Sequence, residues 1–399
     1  MRALMGSAIS MEMAAEVLML RSISPGFRSR ANPFRIHLWQ KLVPAAVASP
    51  RCVMLDDSPA SRSAPLSDPL ALFRLRDGLY AVDLIGAAIA GFDFYTCLGK
   101  APGTLEQICA GLGLHPRPAE VLLSLSASLG LVERDGARWK LAAVGSEFLH
   151  QSSPWNLGPY FTSLKNRPVC QDLIQVLRSG KPSSFGSFKD EKAWAQAMEN
   201  EVFARQFTAA MDVRGKYLAP VLARKACIHG RRRLLDVAGG SGIYACAMVD
   251  AHPGLEALVW EKSPVDRLVE RWVAERGYAG RVRVAEGDMF HDPFPEGCDA
   301  HLFSNVLHDW DAPVVRDLLE RSWRALPSGG VLLIHDVHLN EDKTGPFPAA
   351  AYSALLMTIT EGRCYSVGEL REWLGALGFI GFRFEQTAAD RSVVSVIKA

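Results

Sequence analysis

This chain has no C-x-x-C pair, almost no net charge and no long unbroken apolar run. Its eight cysteines lie at positions 52, 97, 109, 170, 227, 246, 298 and 364. That scatter argues against a zinc ribbon, a thioredoxin-type motif or a disulfide scaffold, and fits a reducing, cytoplasmic setting. Lys plus Arg number 44 against 43 Asp plus Glu, a net charge of +1, so no global field draws the chain to nucleic acid or an anionic membrane. No stretch nears membrane-spanning length without a charged or polar break, and no membrane span is expected. What is present is an ordinary globular composition, 49% hydrophobic and 22% charged over 399 residues, enough for two or three domains with their own cores.

The first 55 residues carry Arg2, Arg21, Arg28, Arg30, Arg35, Lys41 and Arg51 against only Glu12 and Glu16. An interrupted apolar part followed at once by Arg makes a poor secretory signal, and the Arg-rich, acid-poor character resembles an organelle transit peptide. The simpler expectation, adopted here, is a mis-called start with Met54 as the initiator. A linker rich in Ser, Pro and Asp follows from Asp56 to Pro69. Residues 1–65 are thus an extension and linker, outside the folded part.

From Leu70 the pattern turns helical, with Leu72, Leu75, Leu79, Val82, Ile85 and Ile89 in one apolar stripe. Thr104 is a plausible N-cap for Leu105 onwards, and Pro118 can open a second helix through Val121, Leu122, Leu125 and Leu129. Leu131 to Leu141, turning at Asp135-Gly136, has the signature of a tight hairpin. Helix, turn, helix and hairpin make a winged helix, which in other proteins reads DNA. Here the second helix offers Glu120, serines and leucines, with no basic residue beyond Arg117, so groove recognition is not expected. A regulator sensing a small molecule stays open as an alternative class. Helical segments from about Trp155 to Lys225 complete a mainly α domain over 66–225.

The remaining chain, 226–399, changes period. Apolar runs at Leu234, Ala257, Val282, Ala300 and Val331 alternate with helical patterns of about a dozen residues. This predicts a parallel sheet with helical crossovers. Two last strands, around Phe382 and Val393, share a short turn near Asp390, so the final strand should run antiparallel.

Chemistry gathers at the strand ends. The first strand runs into Asp236-Val-Ala-Gly239-Gly240-Ser-Gly242 and a helix, a turn where glycine lets a ligand approach and helix N–H groups face it. Gly240 and Gly242 also fit the dinucleotide fingerprint, and Glu261 could take ribose hydroxyls of NAD or of S-adenosylmethionine (SAM). Gly287-Asp288-Met289-Phe290 puts a carboxylate and a thioether where an adenine would lie. Ser304-Asn-Val-Leu-His308-Asp309-Trp310 brings a histidine to the same edge, well placed for proton transfer.

Taken together, LLDVAGGSG, GDMF and NVLHDW in this order resemble the SAM-dependent small-molecule O-methyltransferases, the family of plant caffeic acid and animal acetylserotonin O-methyltransferases and bacterial natural-product enzymes. The resemblance covers about 66–399. It implies an α/β fold with a Rossmann-like seven-stranded catalytic domain, preceded by a winged-helix domain that makes a homodimer. It implies that Asp236, Gly239, Gly240 and Gly242 meet the amino-acid part of SAM, Glu261 the ribose, Asp288 and Met289 the adenine, with Ser304 and Trp310 beside them. His308 looks like the general base and Asp336 like its orienting acid, and Phe207 and Met211 like acceptor-pocket residues.

An imidazole can take the proton of a weakly nucleophilic phenol as its oxygen attacks the sulfonium methyl. No metal is expected, because His335 and His338 should face different sides of a strand. The chain departs from the family where Cys364 follows Gly362-Arg363 in place of a second acid, and where Leu355-Leu356 replaces a polar pair, giving a more apolar pocket. The expectation is methyl transfer from SAM, releasing S-adenosylhomocysteine (SAH), to a hydroxyl of an aromatic metabolite. N- or C-methylation, or a repurposed SAM enzyme, is the alternative on the same scaffold.

Overall fold

A computed structural model describes residues 65–183 and 196–399. The Arg-rich segment, Met54 and the linker as far as residue 64 lie outside the described residues. Helix α1 (Leu70–Asp77) is followed by α2 (Ala81–Phe92), so the apolar stripe is divided between two helices at Gly78. Only its second part turns inward. Leu84 and Ile85 are buried, whereas Leu72, Leu75, Leu79 and Val82 are 69%, 75%, 39% and 46% exposed.

After α3 (Phe94–Lys100) and β1 (Gly103–Thr104), the Thr104 hydroxyl and the Gln107 side chain cap α4 (Leu105–Leu112) reciprocally. Helix α5 (Pro116–Ser128) starts at Pro116, two residues before the expected opening at Pro118. Its ring holds the first helical φ at no hydrogen-bond cost. Strands β2 (Val132–Asp135) and β3 (Arg138–Leu141) turn through Gly136, at φ 58°. With β1 they form an antiparallel sheet of order β1-β3-β2. Short helices α6 (Ala143–Phe148) and α7 (Gly158–Thr162) lead to α8 (Pro168–Ser179) and the long α9 (Glu201–Lys225), whose Asn200 side chain accepts from Val202 and Phe203 N–H groups.

The second half alternates as the sequence predicts: β4 (Arg233–Val237), α10 (Ile243–Ala251), β5 (Glu256–Glu261), α11 (Val265–Glu275), β6 (Val282–Glu286) and β7 (Ala300–Ser304). Then come α12 (Ala312–Ala325), β8 (Val331–Asp336), α13 (Phe347–Ile359), α14 (Val367–Ala376), β9 (Phe379–Gln386) and β10 (Ser392–Lys398). The seven strands lie in the order β6-β5-β4-β7-β8-β10-β9. The last strand is antiparallel to both neighbours, β8 and β9. Alternate residues feed opposite faces: Leu234, Val259, Leu302 and Leu333 pack with α9 to α11, while Leu235, Trp260, Phe303 and Ile334 pack with α12 and α14.

A third apolar core joins distant parts of the chain. Leu84, Leu122, Leu125, Leu173 and Leu177 from the N-terminal helices pack with Val337, Leu339, Ala349 to Met357 and Cys364. Helix α13 is therefore buried on nearly all sides, and Leu355 and Leu356, 4% and 2% exposed, belong to this core. Both are expected from the resemblance to line an acceptor pocket; here they pack in the core shared with the N-terminal helices, together with Tyr352.

A mostly buried charge network joins the same two regions. Lys343 Nζ lies 2.5 Å from Glu120 and 2.8 Å from Glu369, and Arg363 Nη2 lies 2.9 Å from Glu120 and 2.5 Å from Glu369. Burial opposes ionisation of Glu369, but Arg363 and Lys343 outweigh it and hold the carboxyl far below its usual range. Its contribution is therefore complete above the unfolded value of about 4.3 and is lost as pH falls through the folded one. Glu369→Gln leaves two cations sharing one acid and also weakens the capping box with Ser366. We expect a loss of about 3 kcal/mol in urea unfolding at neutral pH; a loss below about 0.5 kcal/mol would assign the network no more than the weight of a surface pair.

Candidate functional site

The C-terminal ends of β4, β5, β7 and β8 meet at one edge of the sheet, where open α/β sheets bind ligands. β4 delivers the chain into a tight loop with Ala238 at φ 52°, Gly240 at 55° and Gly242 at 71°. Glycine is required at two points. A Cβ on Gly239 would stand 2.7 Å from the Asp236 carboxyl carbon, and Gly242 is both left-handed and 3.2 Å from Val269 and Val273 methyls. Gly240 is different, since a Cβ there would meet nothing within 4 Å; its outer side is open to a ligand.

Asp236 lies beneath this loop, 1% exposed, with neither carboxylate oxygen hydrogen-bonded. Burial pushes its pKa up to about 7, against a weak pull from the Ala245 N–H. Glu261, at the end of β5, accepts the Gly240 N–H at 2.9 Å through one oxygen and the Lys262 N–H at 2.9 Å through the other. An orphaned buried carboxylate, an open glycine and a strand-end acid tied to the same loop fit a ligand with an ammonium group and vicinal hydroxyls, as SAM has.

Asp288 is already engaged. Lys262 Nζ donates to it at 2.7 Å, the Phe290 N–H at 2.9 Å, and His291 Nδ1 lies at 3.1 Å. Burial opposes ionisation, yet these three donors hold the carboxyl down to about 2. A nucleotide amino group would share this carboxylate with Lys262. Met289 packs into the α12 and α14 side of the core, and Trp310 meets Phe290 edge-on at 4.6 Å. Ser304 is bound to His335 Nδ1 at 2.9 Å and to Asn305 Nδ2 at 3.2 Å.

His308 lies in the single 3-10 turn Leu307–Asp309 after β7, and Asp336 ends β8. Their contact, His308 Nδ1 to Asp336 Oδ1, is 2.5 Å, with both side chains 5% exposed. The same oxygen accepts the Val337 N–H at 2.8 Å. Burial alone would lower the imidazole pKa; Asp336 and Asp309 together outweigh it and raise it above the ordinary value. Asp309 stands 3.6 Å from Nε2, too far to bond it. An imidazole held at Nδ1 by a buried carboxylate presents Nε2 as an acceptor.

Phe207 and Met211 sit half-buried on α9, Phe207 stacked on Phe203 at 6.2 Å. Cys364 is fully buried, its N–H donating to Ser353 Oγ, and burial raises its thiol pKa well above the usual value; it is an inert packing residue. Glu361, the one acid near it in sequence, pairs with Lys181 at 2.6 Å. His335 ends up on β8 but His338 lies beyond it, and both are buried and pushed towards neutrality. Among the described residues no group of three His, Cys, Asp or Glu is arranged to hold a metal ion.

Sequence reasoning missed three participants. Tyr352 of α13 stands edge-on to the His308 ring at 5.6 Å. Arg214 of α9 couples electrostatically to Tyr244, Tyr352 and His308. Gly362 packs against the His308 backbone, where a Cβ would stand 1.9 Å from its carbonyl oxygen. Met211 to Arg214 is a helical spacing that could have flagged the arginine; nothing local marks Gly362.

Comparison with known proteins bears on this arrangement. The sequence model of a family described as an O-methyltransferase domain matches residues 171–380. The 3-hydroxy-5-methyl-1-naphthoate 3-O-methyltransferase of Streptomyces sahachiroi is 30% identical over 335 residues, 83% of this chain and 96% of that protein. The N,N-dimethyltransferase OxyT of Streptomyces rimosus is 31% identical over 277 residues, 69% of this chain and 80% of that one. A solved family 2 O-methyltransferase from Planctomyces limnophilus, in complex with apigenin, superposes with a TM-score of 0.75 at 30% identity, covering 85% of this chain and 98% of that one.

Proposed function

Since this chain belongs to the SAM-dependent O-methyltransferase family, we propose that it methylates a hydroxyl, phenolic in our reading, of an aromatic small molecule, with His308 as general base and Asp336 as its positioning residue. The observation that carries this is the 2.5 Å His308–Asp336 contact at the sheet edge that also holds the glycine loop.

SAM supplies an electrophilic sulfonium methyl. The chain's own residues do the rest. Asp236, Gly239, Gly240 and Gly242 receive the amino-acid end, Glu261 the ribose, and Asp288 the adenine, with Met289, Ser304 and Trp310 around them. His308 Nε2 accepts the hydroxyl proton as the oxygen–methyl bond forms and the sulfur–methyl bond breaks, giving the methyl ether, SAH and an imidazolium beside Asp336. Asp336 fixes the tautomer and offsets that charge. Phe207 and Met211 flank the acceptor, and alignment of the two reactants in a dry cleft lowers the barrier further.

The test is SAH release from SAM over matched phenols, anilines and benzoic acids, with the methylated atom located by mass spectrometry. Methyl ethers from the phenols support the reading. Turnover of amines alone would overturn it in favour of N-methylation, the reaction in the name of the Streptomyces rimosus relative.

We infer also a homodimer, in which α4, α5 and the β2–β3 hairpin form the winged-helix module and the exposed Leu72, Leu75, Leu79 and Val82 meet their copies. Leu75→Glu should halve the mass seen by light scattering; a monomeric parent would refute it.

A further inference from the structure

We propose that Arg214 is the acceptor-selecting residue of the cleft and binds a carboxylate carried by the aromatic substrate. This rests on the phenol-methylating reading above and names its substrate class. Phe207, Met211 and Arg214 are spaced by four and three residues on α9, and so share one helix face. The Arg214 guanidinium couples electrostatically to the Tyr244 and Tyr352 side chains. Tyr352 is also the ring set against His308. The arginine therefore belongs to the acceptor side of the proposed base.

The Arg214 Nε–H is buried without a hydrogen-bond partner, and among the described residues no carboxylate forms an ion pair with Arg214. Of the acids coupled to it, Asp77 is paired at 2.9 Å with Arg391, which is 1% exposed and itself has Nε and Nη2 unpartnered, and Asp309 stands 3.6 Å from His308 Nε2. Asp336 is held by His308. Arg214 and Arg391 thus both act on Tyr352, and the buried Arg214 Nε–H is a donor without an acceptor until an anion enters. Arg391 is sealed between Phe73 and Tyr352, whereas Arg214 shares its helix face with Phe207 and Met211. A guanidinium fork matches a carboxylate in shape and charge. An anion there has a second effect, since the Arg214 field opposes protonation of His308 and a bound carboxylate cancels it.

Two carboxylates could reach the cleft, that of the acceptor and that of the methionine part of SAM. Calorimetry separates them. Monohydroxynaphthoates, their primary amides and the parent naphthols are titrated into the full chain saturated with SAH, and SAH is titrated alone. The wild type should bind the best acid about 10- to 100-fold more tightly than its amide, the range of a charge-assisted contact. Arg214→Gln should abolish that preference and Arg214→Lys should restore part of it, while SAH affinity holds within about twofold and reports a folded site. Equal binding of acid and amide by the wild type would overturn the proposal. So would a fall in SAH affinity with the acid preference intact, which would give the arginine to the cofactor. Methylation of neutral naphthols by the wild type tests the underlying reaction separately, and naphthol turnover without acid preference sinks this inference alone.

Discussion

His308→Ala lowers kcat and kcat/KM together by about 10²–10⁴-fold, leaving SAH affinity near that of the wild type. The loss is that of a proton acceptor used only in the transition state, so it should not appear in KM. The pH profile gives the sharper form of this expectation. As a base, His308 works only when neutral, and burial, which disfavours its charge, is outweighed by Asp336 and Asp309. The acid limb of kcat/KM should therefore lie above the ordinary imidazole value of about 6.5. Asp336→Asn removes the largest of the raising influences, so the limb should move to lower pH while the plateau rate falls. A limb unmoved in Asp336→Asn, or a His308→Ala rate within about threefold of wild type, would leave His308 as a positioning residue.

Gly362→Ala is the second large effect, and it acts without touching a reacting atom. The added methyl would lie 1.9 Å from the His308 carbonyl oxygen and 2.6 Å from its carbonyl carbon. The obstacle is backbone, so no side-chain rotation relieves it. Either the 3-10 turn carrying His308 moves, or the segment from Thr360 to Cys364 does. That segment is fixed: Arg117 Nη1 donates to the Gly362 carbonyl at 2.8 Å, and Arg363 is held in its ion network. The turn must yield, and a displacement of about 1 Å between catalytic groups costs on the order of 10²-fold in rate. Overpacking also costs about 1–3 kcal/mol of stability, measurable by urea unfolding. Near-wild-type kcat in a correctly folded Gly362→Ala protein would show that the turn tolerates the shift and that the close approach is incidental.

These two positions also mark how much was legible in advance. The alternation of apolar runs and helical spacing foretold the parallel sheet, because strands buried on both faces advertise themselves locally. The short turn at Asp390 foretold the antiparallel last strand for a purely topological reason. Strand-end residues such as Glu261, Asp288 and His308 were readable because the parallel strands bring their C-termini to one edge. Gly362 was not readable, since its constraint comes from a backbone 54 positions away in the chain. Leu355 and Leu356 came from the resemblance alone, because helical spacing cannot say which neighbour fills the space beside an apolar residue. The stripe from Leu72 to Ile89 kept its period across a break that Gly78 introduces, so one helix was read where there are two.

The core shared by the N-terminal helices and α13 also bears on the order in which the protein is made. Leu84, Leu122 and Leu177 leave the ribosome some 170 residues or more before Ala349 to Met357, the residues they pack against. During that interval the first helices can pack only on one another, with the side that α13 covers left open, whereas β4 to β7 and their helices can already assemble. A nascent chain stalled after β8 would thus carry a nearly built sheet beside an unsealed helical half. The core of the first half would be completed only when α13 arrives.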